Sequence, residues 1–419
     1  MTSTHDLYHQ ILDGFPELDD KPDTLNYLKS LETTLPLFQS IQTDDILNEL
    51  APVVQKFQQF EDVLILGTGG SSLGGQTLLA LRDPTLKSPR LHFLDNIDPH
   101  TFQHLLPTVN VTKTGVIAIS KSGNTAETLM QLLICLQQWL TKISPAQIND
   151  HFLIISEPQQ NGIRQLAKSY NISCLDHPVD IGGRFAVFTV VGMLPALIAG
   201  IDAKAVREGA RHILSSNLSA THSHKSEALT GAIAHLTLAG LGISQTILMP
   251  YIDRLHTFTL WFRQLWAESL GKRDAQNHHQ GITPIQALGA VDQHSQLQLF
   301  LDGPQDKIFT LITKSHKEDP FRITLPATGH PAVDLFQNKT MGSLMEAEQQ
   351  ATIDTLRRHK CPTREIKLSR LDEKVLGGLM MHYIIETLAM AHLLNVNPFD
   401  QPAVEEGKRL TQQYLSNAA

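Results

Sequence analysis

The sequence predicts an α/β protein of two doubly wound halves, and three observations lead there. Short apolar runs such as Val63–Leu66 and Phe152–Ile155 recur, the pattern of strands buried on both faces. Helical stretches lie between them, and such alternation makes a parallel sheet covered by helices on both sides. The 419 residues exceed what one core usually serves, and the alternation restarts near residue 203.

Residues 1–50 are polar, with scattered Leu and Phe and prolines at 16, 22 and 36, and read as a helical arm on a larger body. The first half, 51–202, runs through strands at Val63–Leu66, Leu91–Asp95, Gly115–Ser120 and Phe152–Ile155, with helices at Gly75–Arg82 and Thr125–Leu140. Phe185–Ile201 is 17 mostly apolar residues, at the short limit for a membrane span. Pro195 and the glycines make it a buried core helix instead. The second half, 203–395, opens with helices over 203–242. Strands at Gln245–Pro250, Lys307–Thr313 and Cys361–Leu368 follow, with helices at Tyr251–Leu270, Leu335–Arg357 and Leu376–Leu394. A C-terminal segment, 396–419, carries Lys408.

Composition narrows the function. Hydrophobic residues make up 42% and charged residues 18%, the balance of a soluble globular enzyme. Acids outnumber bases 42 to 34, for a net charge of −8. That argues against a dedicated nucleic-acid binder and against an anionic membrane surface. Cys135, Cys174 and Cys361 lie far apart without metal spacing, which points to a reducing, cytoplasmic setting. The N-terminus shows no basic stretch followed by an apolar run, so no signal peptide is expected. His222, His224, His278 and His279 lack the carboxylate or cysteine spacing of a metal site and read as surface residues.

Several segments can carry chemistry. GTGGSSLGG, residues 67–75, directly follows a buried strand. Glycines there let backbone N–H groups approach an anion, and the following helix start favours negative charge. Asp95, ending the next strand, would suit a dinucleotide ribose, but Ser72 stands where that fingerprint needs its third glycine. SKSGNTAET, residues 120–128, offers Ser120, Lys121, Ser122 and Thr125 at a helix start. Asn124 with Glu127 also fits a plain capping box. Two such turns at successive strand ends suggest one phosphate pocket, because open α/β sheets bind ligands at these carboxyl ends. Arg184 follows Gly182-Gly183 and enters an apolar run, where an unpaired charge is costly, so it needs an anionic partner. Gln264 and Glu268 are four apart on one helix face. Beside Trp266 and Leu270, Glu268 is expected in apolar surroundings that would raise its pKa and suit a general base. His294 lies in a polar stretch, and Gln401 and Lys408 lie near the C-terminus.

Taken in order, GGSSLGG, SKSGNTAET, GGRF, QLWAESLGK, DQHS and VEEGK resemble the glucose-6-phosphate isomerase (phosphoglucose isomerase) family over about residues 60–410. The resemblance implies two sugar-isomerase (SIS) domains, each a doubly wound αβα sandwich. It implies reversible conversion of glucose 6-phosphate to fructose 6-phosphate, in glycolysis and gluconeogenesis, through a cis-enediol. On this resemblance Glu268 is the base, and Arg184 stabilises the enediolate. His294 and Lys408 serve ring opening and hydroxyl proton transfer. Ser120, Lys121, Ser122 and Thr125 bind phosphate, and Gly70, Ser71, Gln264 and Gln401 contact the sugar. It further implies a homodimer with shared active sites, in which the histidine comes from the neighbouring subunit, and no metal, nucleotide or other cofactor. Asn124, Ala186, Leu270 and the Pro402-Ala403 pair depart from the family's usual residues.

Two rivals remain at this stage. A non-catalytic sugar-phosphate sensor would need no joint set of Glu268, Arg184, His294 and Lys408. A nicotinamide-dependent oxidoreductase is disfavoured by Ser72.

Overall fold

The computed structural model describes residues 7–316 and 318–417. The first six residues of the expected N-terminal arm and the last two of the C-terminal segment lie outside them.

Twelve strands are present among the described residues. They are β1 (Leu7–Asp13), β2 (Asp62–Leu66), β3 (Arg90–Leu94), β4 (Thr114–Ile119), β5 (Phe152–Ser156) and β6 (Ser173–Asp176), then β7 (Gln245–Pro250), β8 (Lys272–Arg273), β9 (His279–Gln280), β10 (Thr283–Gln286), β11 (Lys307–Lys314) and β12 (Thr363–Leu368). The first sheet runs β3-β2-β4-β5-β6 with every pairing parallel. β2, β4 and β5 are buried along their whole length, as their apolar runs require. The second sheet runs β1-β12-β11-β7-β10, parallel except for β1, which is antiparallel to β12 at the edge. In both sheets the chain leaves its first parallel strand toward one edge and later crosses to the other. The gap between β2 and β4, and that between β7 and β11, are therefore switch points where connections diverge and a crevice opens.

The N-terminal region departs from expectation. α1 (Pro22–Thr34) and α2 (Asp45–Phe57) form helices as read, but Leu7–Asp13 is a strand that completes the second sheet. Tertiary pairing with β12 decides this, since the sequence there has no clean alternation. Phe185–Ile201 is buried as expected, in a 3-10 turn at Gly183–Phe188 followed by α5 (Val190–Ile198). At nine residues α5 cannot span a bilayer. Between β4 and α5 lie α3 (Ala126–Leu140), which covers the first sheet, and α4 (Gly162–Tyr170).

α6 (Ala203–Leu218), α7 (Glu227–Ala239), α8 (His256–Leu270) and α9 (Met341–Arg358) precede α10 (Glu373–Leu393), and α11 (Glu405–Asn417) follows. α10 is buried continuously from Val375 to Ala391, as a helix apolar on all sides must be. One apolar cluster runs from α1 through α5 and α8 to α10, so the two sheets share a core.

That core holds a charged cluster. Arg364 Nη2 of β12 lies 2.8 Å from Glu386 Oε1 of α10, both fully buried. His382 and His235 approach the same carboxylate at 3.2 and 3.4 Å. Burial works to raise the Glu386 carboxyl, but Arg364, His235 and His382 together outweigh it and hold the group well below the usual carboxylate range. His9 of β1 meets His382 edge-on at 5.8 Å between ring centres. Burial, with Arg364 and His382 beside it, pushes His9 well below the ordinary imidazole value.

Candidate active site

The site assembles at the switch point of the first sheet. After β2 the chain turns tightly through residues 67–71. Gly69 has φ +54°, and a Cβ on it would lie 2.7 Å from Gln264 Nε2. A Cβ on Gly70 would collide with the carbonyl carbon of Gly183. Glycine at 70 thus lets the loop bearing Ser71 press against the backbone that presents Arg184. Asp95, the alternative ribose ligand, instead accepts a hydrogen bond from Gln76 Nε2 at 2.7 Å.

After β4, Ser120 Oγ donates to Thr125 Oγ1 at 3.0 Å and accepts from the Gly123 N–H at 3.2 Å. Ser122 Oγ accepts from the Asn124 N–H at 3.3 Å. The capping box expected from Asn124 and Glu127 does not form. Asn124 Oδ1 is taken by the Gly162 N–H of α4 at 2.8 Å. Thr125 stands at the N-cap of the fifteen-residue α3 without a side-chain cap bond. The first N–H groups of α3 are therefore uncapped by the residue that usually does so, a setting that favours an anion. Lys121 Nζ lies 3.5 Å from Glu157 Oε1 and stays one-third exposed. The two loops adjoin, since a Cβ on Gly67 would lie 3.0 Å from the Ile119 carbonyl oxygen.

Arg184 is the hub. It is 3% exposed and every guanidinium nitrogen is used. Nε donates to Ser269 Oγ at 2.9 Å. Nη1 donates to Glu268 Oε2 at 3.0 Å and Gln401 Oε1 at 2.9 Å. Nη2 donates to the carbonyls of Pro398 and Asp400. Burial lowers the Arg184 pKa, and Glu268 works against that. Gln264 Nε2 donates to the other Glu268 oxygen at 3.1 Å, while Gln264 Oε1 is buried without a partner, free to accept from a hydroxyl.

Glu268 is not in the apolar surroundings read from its neighbours. Its side chain is one-third exposed and bracketed by Arg184 and Gln264. Trp266 and Leu270 are fully buried on the other side of α8, because residues two apart on a helix face different ways.

The structure thus gathers Gly70, Ser71, Arg184, Gln264, Glu268 and Gln401, with Ser120, Lys121, Ser122 and Thr125 on the adjoining loop. It does not bring in the other two expected residues. His294 is exposed beyond the Val291–Gln293 turn, with no side-chain partner among the described residues. Lys408 pairs with Glu405 at 2.6 Å on α11, which buries no residue. Sequence reading missed Ser269, Lys272 and Asp400. The first two stand inside the AESLGK string, but adjacency alone did not distinguish them. Among the described residues no group of three or more His, Cys, Asp or Glu is placed to hold a metal.

A family model described as phosphoglucose isomerase matches residues 50–419. The chain belongs to the phosphoglucose isomerase family. It is 34% identical to the glucose-6-phosphate isomerase of Rubrobacter xylanophilus, over 84% of this chain and 81% of that protein. It is 35% identical to that of Thermus thermophilus, over 85% and 84%. A solved structure of a hypothetical protein from Thermus thermophilus superposes with a TM-score of 0.85 at 31% identity, covering 94% of both chains. A glucose-6-phosphate isomerase from Chlamydia trachomatis shares the fold, with a TM-score of 0.77 at 20% identity over 98% of this chain and 82% of that one. Two departures from the phosphoglucose isomerase pattern have local reasons. Asn124 ties the turn after β4 to α4, and Leu270 fills the core at the end of α8.

Proposed function

We propose that this chain, a glucose-6-phosphate isomerase, moves the proton with Glu268. The observation that carries the reading is the Glu268 carboxylate held between Arg184 and Gln264 beside the phosphate crevice. With the sugar open, the Glu268 carboxylate takes the proton from carbon 2, and electrons shift to form a cis-enediol. Returning that proton to carbon 1 gives the other isomer. Arg184 already faces the carboxylate and supplies positive charge where the enediolate oxygen develops. Ser120, Lys121, Ser122, Thr125 and the start of α3 hold the phosphate. Gly70, Ser71, Gln264 and Gln401 fix the sugar hydroxyls. The shift is redox-neutral, so it needs no redox nucleotide, and Arg184 supplies the positive charge that a metal ion could otherwise provide.

His294 and Lys408 complete the reaction by opening the ring and moving hydroxyl protons, with His294 supplied by the second subunit of a homodimer. Support comes from what is left exposed. His294 has no side-chain partner among the described residues. Large apolar side chains stand open at Val291 and Leu299, at Phe321, Leu325, Leu335 and Met341, and at Tyr414 and Leu415. Such side chains mark an interaction surface where they form a contiguous patch. The proposed division at 50, 202 and 395 follows the sheets except at β1, which lies within 1–50 yet pairs in the second sheet, and the apolar core is shared. No helix among the described residues is long and apolar enough to cross a membrane, and the free cysteines suit a cytoplasmic setting.

A coupled assay tests the chemistry. Turnover of glucose 6-phosphate is expected in the presence of a chelator, and no turnover by folded protein refutes the reading. Mixing tests the shared site. Glu268→Gln and His294→Ala chains, each inactive, should recover about a quarter of parent activity when unfolded and refolded together, because a mixed dimer holds one intact site. No recovery removes the shared-site assignment.

A further inference from the structure

The segment that carries Gln401 has no secondary structure of its own between α10 and a short turn at Pro402–Val404. It is nevertheless held at one point by two cations. Arg184 Nη2 and Lys272 Nζ both donate to the Asp400 carbonyl oxygen. Lys272 Nζ also lies 2.8 Å from Asp400 Oδ1. The other Asp400 oxygen accepts from Asn397 Nδ2 at 3.0 Å, which closes the turn. Lys272 is unusual for a lysine, with its side chain 8% exposed.

We infer that Lys272 is a positioning residue for the isomerisation, locking Asp400 so that Gln401 and Arg184 keep their places and the Asp400 carboxylate stays off Arg184. The inference rests on the assignment of Arg184 to the enediolate. Lys272 begins β8, two residues after α8 ends and four after Glu268. It therefore links the helix bearing the base to the segment bearing Gln401. The electrostatic half follows from the chain of pairs. Lys272 and, more weakly, Arg184 hold the Asp400 carboxyl below its ordinary range, so that carboxylate is ionised within the field of Arg184. Without Lys272 it is an uncompensated anion that competes with Glu268 and with the developing enediolate for the same guanidinium. A purely structural brace would not have this second effect.

The test is a cycle of Lys272→Met, Lys272→Arg and Lys272→Met with Asp400→Asn, assayed by steady-state kinetics and thermal unfolding of the full-length protein. Lys272→Met should lower kcat about a hundredfold, the scale of a misplaced catalytic group, with KM within about threefold. Lys272→Arg should restore most of the loss. The double variant should be about tenfold more active than Lys272→Met alone, because removing the orphaned charge frees Arg184. Should Lys272→Met fail to fold, Lys272→Gln replaces it with the same readouts. The inference is overturned if kcat stays within twofold of the parent, if the loss lies in KM alone, or if the double variant is no better than the single. A parent without turnover would instead sink the functional reading beneath it.

Discussion

Arg184 Nη1 lies 3.0 Å from Glu268 Oε2, across 84 residues of chain, and joins the proposed base to the group proposed to answer its product charge. The arginine comes from a buried turn and the glutamate from a half-open helix face. In the proposed reaction, proton removal transfers charge from the carboxylate to the sugar oxygens, and Arg184 already faces that carboxylate.

Glu268→Gln keeps the bonds to Arg184 and Gln264 within reach but leaves no basic oxygen. Turnover should fall by ~10²–10⁴, while binding of a sugar phosphate, followed by calorimetry, persists. Near-parent activity would remove the base assignment.

Arg184→Lys replaces a planar fork with one ammonium. The fork serves five acceptors here, and lysine cannot reach Ser269, Glu268, Gln401 and two carbonyls together. We expect kcat lower by ~10²–10³, the scale for losing a preorganised donor, and a reduced Tm. A variant with parent kcat contradicts the role.

How much of this was legible in the sequence depends on burial. β2, β4 and β5 announce themselves because both faces are buried and every residue is apolar. β6 and β10 do not. Each is four residues at a sheet edge, half exposed, and β10 contains Pro284, which usually argues against a strand. Arg184 was legible as a charge that could not stay unpaired in an apolar run. The surroundings of Glu268 were misread because neighbours in sequence are not neighbours around a helix. His294 and Lys408 rested on family resemblance, since nothing in their local pattern sets them apart.

Gly70→Ala tests the close approach of the two backbones. The added methyl must displace Gly183 or its own loop, so stability should drop by about 1–3 kcal/mol. Movement of Arg184 with that backbone should lower kcat as well. Thermal unfolding and kinetics check both. A variant with unchanged Tm and kcat would show that the loop has more room than this geometry allows.

His9 gives a pH dependence with a definite sign. Folded His9 stays neutral because burial, Arg364 and His382 disfavour its charge, whereas the unfolded chain protonates near its ordinary value. Below about pH 6.5 the unfolded state binds the extra proton, so stability falls as pH falls. His9→Leu should flatten the Tm–pH curve between pH 6.5 and 5 relative to the parent. An unchanged slope would place the acid sensitivity elsewhere.

The pairing of β1 with β12 also sets a schedule for the growing polypeptide. Roughly 350 residues separate Asp13 from Thr363, its partner. At ~5–20 residues per second a ribosome needs ~20–70 s to make that interval. β1 emerges first and must wait as an unpaired edge strand, open to association with other nascent chains. The last strand made is the one that takes it in.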